Sequence, residues 1–313
     1  MSSHQLSREE ADKLKYRASI ASILLAVFLT ILKLFASFYS GSLAVLSSMI
    51  DSLSDILASA ITFMAVKISA KPATDKHRYG YGKVEAISAL MQAAFIAGSG
   101  LFVMYDAGAR FFQPKIIEKT GMALWVMSIS LISTFVLIAY QKHVAKLTQS
   151  QAINADSEHY VVDILTNLSI IISLIAVKIF EVSWIDTLTA FGVAIYLLKN
   201  SYLLAKEAID MLLDKELDSE IRHKVKDIIK SHEFVKGVHD LRTRNLGNDY
   251  MFELHLELDG NLSLYDAHDL SELIEKDIIE HYPNAQIIIH QDPAGIKESR
   301  LDTKLVRTRK AKK

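Results

Sequence analysis

The sequence contains no cysteine among its 313 residues. This absence excludes disulfides, thiolate metal sites, iron–sulfur clusters and a cysteine nucleophile. Any metal site must therefore use nitrogen and oxygen ligands, which disfavours Cu(I). Proline is also scarce, with four residues in the chain, so long helices can run with few interruptions.

The chain also lacks an excess of charge of either sign. It has 35 Lys and Arg against 36 Asp and Glu, which gives a formal net charge of −1. A nucleic-acid-binding protein is usually strongly basic, so no nucleic-acid partner is expected. Long apolar runs fill the chain up to about residue 205, and the composition after that point is that of an ordinary soluble domain.

Six of these apolar runs are long enough to cross a lipid bilayer, which takes roughly 20 residues per helix. They cover residues 18–38, 43–66, 86–108, 121–141, 160–180 and 185–205. Residues 1–17 are polar and show no signal peptide. The sequence therefore predicts an N-terminal segment (1–17) and a six-helix transmembrane domain (18–206). The alternative is a soluble helical protein with unusually apolar helices.

The basic residues near the span ends predict the orientation in the membrane. Eleven Lys and Arg flank the spans on the side of the N-terminal segment, against three on the other side. Because basic residues are enriched in cytoplasmic loops, and because the number of spans is even, both termini are expected in the cytoplasm.

Residues 207–292 have the pattern of a small α+β domain. Predicted helices at 216–231 and 265–281 alternate with predicted strands at 237–246, 249–258 and 285–291. The order αββαβ predicts a three-stranded sheet covered by two helices on one face. The remaining residues, 293–313, include eight basic and two acidic ones and are predicted to form a disordered tail. Binding of that tail to anionic lipid is a less favoured alternative.

Four ionisable residues lie inside or at the edge of two of the predicted spans. Each span carries two of them at positions i and i+4, on one helix face, and the four are Asp51, Asp55, His159 and Asp163. Left without partners, they would cost on the order of 10 kcal/mol in a membrane. Three carboxylates and one imidazole suit tetrahedral Zn²⁺, and would also accept Cd²⁺, Fe²⁺, Co²⁺ or Mn²⁺.

Hydrogen bonding or ion pairing between the two helices is the alternative interpretation of these four residues. The surplus of carboxylates argues against it, because one His⁺ neutralises only one of them. Asn167, one further turn along, is predicted to make a helix–helix contact. Close carboxylates repel each other, so the metal-free site is expected to hold protons that metal expels. Such a site predicts exchange of metal for protons.

The soluble part is rich in histidine. His239, His255 and His290 lie in or at the predicted strands, His268 lies near the start of a helix, and Asp292 shares a face with His290. If the strands are neighbours, these side chains can converge on metal. The residues alone leave this interpretation and that of ordinary surface histidines about equal. Three further histidines, His223, His232 and His281, are interpreted as surface residues.

With these residues in place, the chain resembles the cation diffusion facilitators, and among them the bacterial branch that exports zinc, cadmium and ferrous iron. The resemblance covers residues 15–292. It depends on Gly41-Ser42-Leu43-Ala44, Asp51-Ser52-Leu53-Ser54-Asp55, Tyr79-Gly80-Tyr81-Gly82-Lys83, the stretch from Asp156 to Asp163, and the histidine-bearing segments around His239, His255 and His290. It implies a homodimer in the bacterial inner membrane with a metallochaperone-like cytoplasmic domain.

The resemblance also implies roles for individual residues. Asp51, Asp55, His159 and Asp163 correspond to the transport site. A cytoplasmic binuclear zinc site corresponds to His239, His255, His268, His290 and Asp292, with Asp292 bridging the two ions. Lys83 and Asp214 correspond to a charge pair between the two domains. A loop site of relatives falls on Thr74, His77 and Tyr81, where only His77 remains, with Asp75 as a displaced substitute.

The expected function is efflux of divalent metal, mainly Zn²⁺ and also Cd²⁺ or Fe²⁺, in exchange for protons. An exporter mainly for Fe²⁺ or Mn²⁺ is one alternative. A membrane-tethered metal sensor is another, but it would not need charged residues inside two spans. An intramembrane metalloenzyme is a third, and no H-E-x-x-H motif supports it, so no enzymatic activity is expected.

Overall fold

The computed structural model describes residues 7–40, 43–112, 121–180, 184–247, 249–297 and 299–304. Within these, side chains are described for residues 7–35, 54–109, 128–166, 168, 188–247, 249–297 and 299–304. The chain divides into two compact units, residues 1–212 and 213–313. We refer to them as the helical unit and the α+β unit.

The helical unit consists of six long helices. They are α1 (Arg8–Ser40), α2 (Leu43–Ser69), α3 (Val84–Phe112), α4 (Gly121–Thr148), α5 (Gln151–Phe180) and α6 (Trp184–Leu212). Each predicted span lies inside one of these helices, and most of the helices extend beyond it. Helix α1 begins after Ser7, whose side chain and backbone N–H both bond to the Glu10 carboxylate, and this cap satisfies amide groups at the helix start.

Three of these helices have a described stretch that is long and apolar enough to cross a membrane by length and composition. These stretches are Arg8–Phe35 in α1, Val84–Ala109 in α3 and Leu188–Leu212 in α6. The predicted count of six spans is thus supported in part by the described residues.

Helices α3 and α6 form the most extensive contact in the helical unit. Small residues allow it, since buried alanines recur along α3 and the backbone of α6 can approach them closely. At Gly100 a Cβ atom would lie 3.2 Å from Leu197 Cβ and from Leu198 Cγ, so a glycine here permits the close approach of the two helices.

The α+β unit has the predicted element order αββαβ. It consists of α7 (Ser219–Lys230), β1 (Gly237–Asn245), β2 (Tyr250–Leu258), α8 (Leu264–His281) and β3 (Gln286–Pro293). The sheet order is β1-β2-β3, with β1 and β2 antiparallel and β2 and β3 parallel. Helix α8 starts with a capping box between Ser263 and Asp266.

The core of this unit lies between the two helices and one face of the sheet. Alternate residues of β2 point into it, and they pack against α7 and α8: Phe252, Leu254, Leu256 and Leu258 from the strand, Val225 and Ile229 from α7, and Ile274 and Ile278 from α8. The period of two sends the intervening residues of β2 to the opposite face, which we call the open face. The predicted three-stranded sheet with two helices on one face is confirmed.

Strand β1 contains a bulge, because the register moves from His239 opposite His255 to Arg242 opposite Glu253. Asp240, inside the bulge, has a φ of 51°, which aspartate tolerates better than most residues. Its carboxylate accepts hydrogen bonds from the backbone N–H groups of Leu301 and Asp302. Burial acts to raise the pKa of Asp240, but these two hydrogen bonds, together with the nearby His239 and His255, leave the pKa below its usual value.

The segment after β3 therefore returns to the sheet. The sequence predicts a disordered tail from residue 293, whereas Pro293 still pairs with Leu258 and residues 299–304 bond to β1 and β2 side chains. The carboxylates of Asp240 and Glu257 make the hydrogen bonds and the ion pair that hold residues 299–304 against the sheet. The composition of the tail alone predicts neither contact. Residues 305–313 lie outside the described residues.

Candidate metal centres

Helices α2 and α5 bring two carboxylates and one imidazole together. Asp55, His159 and Asp163 each offer a ligand atom, and these atoms all lie within 4.8 Å of one another. His159 Nε2 lies 3.3 Å from Asp55 Oδ1, and the His159 side chain is 8% exposed. His159 and Asp163 are one turn apart on α5, so they share the face that meets α2.

The fourth predicted ligand of this group, Asp51, lies one turn before Asp55 on α2. Its side chain is outside the described residues, as is that of Asn167. The three described residues make a group of mixed oxygen and nitrogen donors with a net negative charge. Such a donor set can hold a divalent cation such as Zn²⁺.

A second polar cluster surrounds Asp156, which is fully buried one turn before His159. Its carboxylate accepts hydrogen bonds from four other helices: from Ser22 Oγ of α1 at 2.7 Å, Thr62 Oγ1 of α2 at 3.4 Å, Gln92 Nε2 of α3 at 3.4 Å and Gln141 Nε2 of α4 at 2.6 Å. Ser59 bonds both to Ser22 and to the Tyr160 hydroxyl, which joins α1, α2 and α5 again.

Sequence reasoning assigned no role to this Asp156 cluster. A signal was present, since glutamine is rare in apolar membrane helices, and Gln92 and Gln141 are both fully buried here. The spacing on α5 alone could not show that four other helices would supply donors to Asp156.

A third polar cluster is a buried ion pair between α1 and the start of α3. Lys15 Nζ lies 2.9 Å from Glu85 Oε1, with the side chains 1% and 3% exposed. The Glu85 carboxylate also accepts hydrogen bonds from Ser69 and Ser150. Removing one partner would leave an unpaired buried charge, at a cost of about 3–5 kcal/mol, so the Glu85 carboxylate is already engaged and is not a free ligand.

The open face of the α+β sheet carries a row of three histidines. His239 of β1 is opposite His255 of β2, and His255 is opposite His290 of β3. The ring centroids are 5.0 Å apart in the first pair and 4.7 Å apart in the second. One residue per strand at matching register therefore places three imidazoles side by side.

Asp292 lies next to this row and contacts all three rings. Its Oδ2 is 2.8 Å from His255 Nδ1 and 3.8 Å from His239 Nε2, and its Oδ1 is 3.2 Å from His290 Nε2. Ligand atoms of His239, His255 and Asp292 lie within 4.8 Å of one another. The two oxygens of Asp292 thus reach different imidazoles, and its bridging of two ions stays a prediction.

His268, the remaining predicted ligand, lies on α8 and pairs with Glu272 on the next turn at 3.3 Å. Among the described residues it does not belong to the group formed by His239, His255 and Asp292. Its part in a metal site stays a prediction. The three histidines interpreted as surface residues have different partners. His223 and His281 bond to backbone oxygens of their own helices, whereas the His232 side chain lies 3.1 Å from the Asp277 carboxylate.

The loop between α2 and α3 is closed by hydrogen bonds among the residues of the predicted loop site. The Tyr81 hydroxyl lies 3.1 Å from Thr74 Oγ1 and 3.1 Å from His77 Nδ1. The backbones of Thr74 and His77 form a β-bridge. His77 thus bonds to a tyrosine that is itself a poor metal ligand when protonated, and the loop site with Asp75 and His77 stays a prediction.

The predicted charge pair has one member in each unit. Lys83 lies in the helical unit, just before α3, and Asp214 lies in the α+β unit. Asp214 Oδ2 is 3.3 Å from the Arg244 guanidinium of β1. The pairing of Lys83 with Asp214 stays a prediction.

Comparison with known proteins covers nearly the whole chain. The cation efflux transmembrane domain family matches residues 19–213, and the family of cation efflux cytoplasmic domains matches residues 217–294. Two relatives named cation-efflux pump FieF, from Citrobacter koseri and Salmonella arizonae, are each 38% identical to the chain. Those matches run over 286 and 289 residues, which is 91% of this chain and 94% of each relative.

Solved structures match a quarter of the chain. The metal-bound C-terminal domain of the CzcD transporter from Thermotoga maritima is 28% identical, with a TM-score of 0.25, over 25% of this chain and 93% of that one. The cytosolic domain of a cation diffusion facilitator family protein is 27% identical, with a TM-score of 0.24, over the same shares. The family matches and the two relatives confirm the resemblance inferred from the sequence motifs. The chain therefore belongs to the cation efflux family, the cation diffusion facilitators, whose members are membrane transporters of metal cations and not enzymes.

Proposed function

We propose that this protein exports divalent metal cations across the cell membrane in exchange for protons, with Zn²⁺ as its main substrate and Cd²⁺ or Fe²⁺ as further substrates. One observation carries the proposal: Asp55, His159 and Asp163 converge between two long apolar helices of the unit that matches the cation efflux transmembrane domain. Two relatives are named cation-efflux pumps, which supports the direction.

The donor set supports the choice of substrate. Oxygen and nitrogen ligands in a small group suit Zn²⁺, whereas a site without sulfur is poorly matched to Cu(I). In the proposed site Asp51 completes the group from the turn before Asp55. Related sites would also accept Cd²⁺ and Fe²⁺, and the ligand types alone leave the order among these ions to experiment.

Proton coupling follows from the same donor set. Two or three carboxylates within a few ångströms repel each other, and protons relieve that repulsion when metal is absent. Metal needs the deprotonated ligands, so its binding expels the protons. A site that opens alternately to each side of the membrane then exchanges metal for protons, and an inward proton gradient can drive metal outward.

The α+β unit supplies the second part of the proposal. Its open face holds zinc with His239, His255, His290 and Asp292, and His268 joins them in the binuclear form. The match to the cytoplasmic cation efflux domain supports a homodimer with this unit and both termini in the cytoplasm. The proposed domains are residues 18–206 in the membrane and 207–292 in the cytoplasm, with 1–17 and 293–313 as flanking segments.

The deciding experiment is metal flux into proteoliposomes with and without an imposed pH gradient, measured for Zn²⁺, Cd²⁺, Fe²⁺ and Mn²⁺. We expect Zn²⁺ flux that increases with the gradient and stops in Asp55→Ala. Glu158→Gln is the matched control, because Glu158 precedes His159 on α5 but pairs with Lys142 at 3.0 Å, outside the group.

The possible results separate the parts of the proposal. Flux that ignores the pH gradient would leave metal transport intact and overturn proton coupling. A larger flux for Fe²⁺ or Mn²⁺ than for Zn²⁺ would show that Zn²⁺ is not the main substrate. No flux for any of the four ions, from a folded protein, would overturn metal transport by this chain.

A further inference from the structure

The side chain of Glu257 lies on the open face of the sheet, beside the histidine row. Glu257 is opposite Gly237 of β1. A Cβ atom on Gly237 would lie 2.9 Å from Glu257 Cδ and 2.9 Å from its Oε2, closer than real Cβ atoms approach. Because Gly237 has no side chain, the Glu257 carboxylate can occupy the space beside it.

Two cationic or donor groups hold this carboxylate in place. Arg300 Nη2, from the segment that follows β3, lies 2.7 Å from Glu257 Oε1. His239 Nδ1 lies 3.0 Å from the same oxygen. With its side chain 15% exposed, Glu257 is partly shielded from water, which strengthens both contacts.

The contact with Glu257 determines which nitrogen of His239 can bind metal. An ionised carboxylate only accepts hydrogen bonds, so the hydrogen in this contact is on Nδ1. The other nitrogen, Nε2, then carries the lone pair, and it is the nitrogen that lies 3.8 Å from Asp292 Oδ2. A carboxylate on the far nitrogen of a metal-binding histidine sets its tautomer and ring orientation and raises its basicity.

We propose that Glu257 is a positioning residue for the cytoplasmic metal centre, and that Arg300 acts through it. Glu257 presents His239 Nε2 to the ion, Gly237 makes room for Glu257, and Arg300 holds Glu257 from the returning segment. This inference rests on the proposed metal site at His239, His255 and Asp292. It adds three residues that do not themselves touch the ion.

A consequence is that metal binding and docking of residues 299–304 are coupled. Arg300 reaches Glu257, and Leu301 and Asp302 bond to Asp240, the neighbour of His239. If the docked segment improves the geometry of His239, metal must in turn stabilise the docked segment by the same factor. Arg300 is thereby connected to the metal centre through Glu257.

The test measures Co²⁺ affinity of the full-length protein by chelator competition, followed by the visible absorption of the bound ion. All variants carry Asp55→Ala and His159→Ala, so that Co²⁺ reports on the cytoplasmic centre. Loss of an outer partner of a ligating histidine costs about 10- to 100-fold in metal affinity, and this is the loss expected for Glu257→Ala. Glu257→Gln keeps an oxygen that accepts from Nδ1–H and should recover most of that affinity.

Two further variants reach the same carboxylate without removing it. Gly237→Ala should displace Glu257, and Arg300→Gln should release it, so both should weaken Co²⁺ binding in the same direction as Glu257→Ala. Glu253→Ala is the matched control, because Glu253 lies on the same strand and face and pairs with Arg242 at 3.8 Å. Its affinity should equal that of the parent protein.

The coupling has its own readout, since a cysteine introduced into this cysteine-free chain is unique. A spin label at Lys304→Cys should lose mobility when diamagnetic Zn²⁺ binds, and this change should vanish in Glu257→Ala. A mobility that does not respond to Zn²⁺ in the parent protein would overturn the coupling of metal to the segment.

The outcomes distinguish this inference from the proposed function. If His255→Ala binds Co²⁺ as the parent does, the proposed cytoplasmic site is wrong. If His255→Ala loses Co²⁺ but Glu257→Ala and Gly237→Ala bind within about twofold of the parent, well short of the 10- to 100-fold loss expected for an outer partner, the site stands and the positioning role is overturned. Should Glu257→Ala fail to fold, Gly237→Ala and Arg300→Gln still decide between these results.

Discussion

The two candidate metal centres are built on different supports. In the helical unit the ligands come from two helices, α2 and α5, and their separation depends on how those helices lie side by side. In the α+β unit the ligands come from three hydrogen-bonded strands, and the register sets their separation at one strand spacing per histidine. Helices that pack through side chains can shift, whereas a sheet ladder must break backbone hydrogen bonds to do so.

This difference fits the two different tasks proposed for these centres. A site that must bind and release its ion benefits from ligands whose distances change when helices move. A site that retains its ion benefits from ligands held rigidly and from outer partners that fix each ring, as Glu257 does for His239. Similar residue types can therefore form a carrier in one unit and a resident centre in the other, and each of the following experiments tests that comparison.

The largest effect is expected for Asp163→Ala, which should abolish Zn²⁺ flux in proteoliposomes. The change removes a ligand from the group and also one of the carboxylates whose repulsion stores protons. The variant should remain folded, as judged by its elution volume and its melting temperature. Zn²⁺ flux close to that of the unmodified protein would remove Asp163 from the transport site.

The next largest effect is expected on Zn²⁺ affinity in the cytoplasmic centre, where a ligand that binds two ions should matter more than a ligand that binds one. Asp292→Ala should weaken Zn²⁺ binding by more than about 100-fold, beyond the loss seen for outer partners, because Asp292 contacts three imidazoles. His268→Ala should lose less, since His268 pairs with Glu272 away from the group. Zinc stoichiometry and competition with a chelator measure both. An equal loss in the two variants would contradict a bridging role for Asp292.

A smaller effect is the release of protons when metal binds in the helical unit. Zn²⁺ binding should release protons and should weaken as the pH falls, because His159 and the carboxylates must be deprotonated to bind. Titration calorimetry in buffers of different ionisation enthalpy gives the proton count from the slope of the heats. Asp292→Ala protein removes the cytoplasmic contribution. Heats that do not depend on the buffer would argue against exchange of metal for protons at this site.

The smallest effect is expected for His77→Ala in the loop between α2 and α3. His77 bonds to Tyr81 rather than to an acid, and two protein ligands with water would hold zinc weakly. Zn²⁺ flux should therefore change little, and the bound zinc per subunit should stay the same. Thr74→Asp combined with Tyr81→His should raise that stoichiometry. Loss of a tightly bound zinc in His77→Ala would show a loop site with a different ligand set.

Local sequence patterns predict the elements and the residues that the structure brings together in each candidate centre. Apolar length predicts the helices, and the period of two in β2 predicts which of its residues are buried, because both patterns are local. The i, i+4 pairs on α2 and α5 predict that Asp55, His159 and Asp163 can converge. Strand β3 extends to Pro293, beyond the predicted end, since an edge strand tolerates a proline that donates no hydrogen bond.

Other features depend on contacts between distant segments. The bulge at Asp240 and the return of residues 299–304 bring Arg300 to Glu257, and neither is encoded in a short pattern. The space over Gly237 is visible only when β1 and β2 are paired in register. The donors to Asp156 likewise come from four helices, so no spacing along α5 could have identified them.

The bonds at Asp156 also determine how α5 can move. A slide by one residue would shift its carboxylate by about 1.5 Å along the helix axis, enough to break the hydrogen bonds from Ser22 and Gln141. Each buried group left without a partner would cost about 1–3 kcal/mol. A tilt of α5 about Asp156 keeps these hydrogen bonds, so this residue can serve as the pivot point of the helix. Asp163 lies about 10.5 Å from it along the axis and His159 about 4.5 Å, so the same small tilt displaces Asp163 more than twice as far.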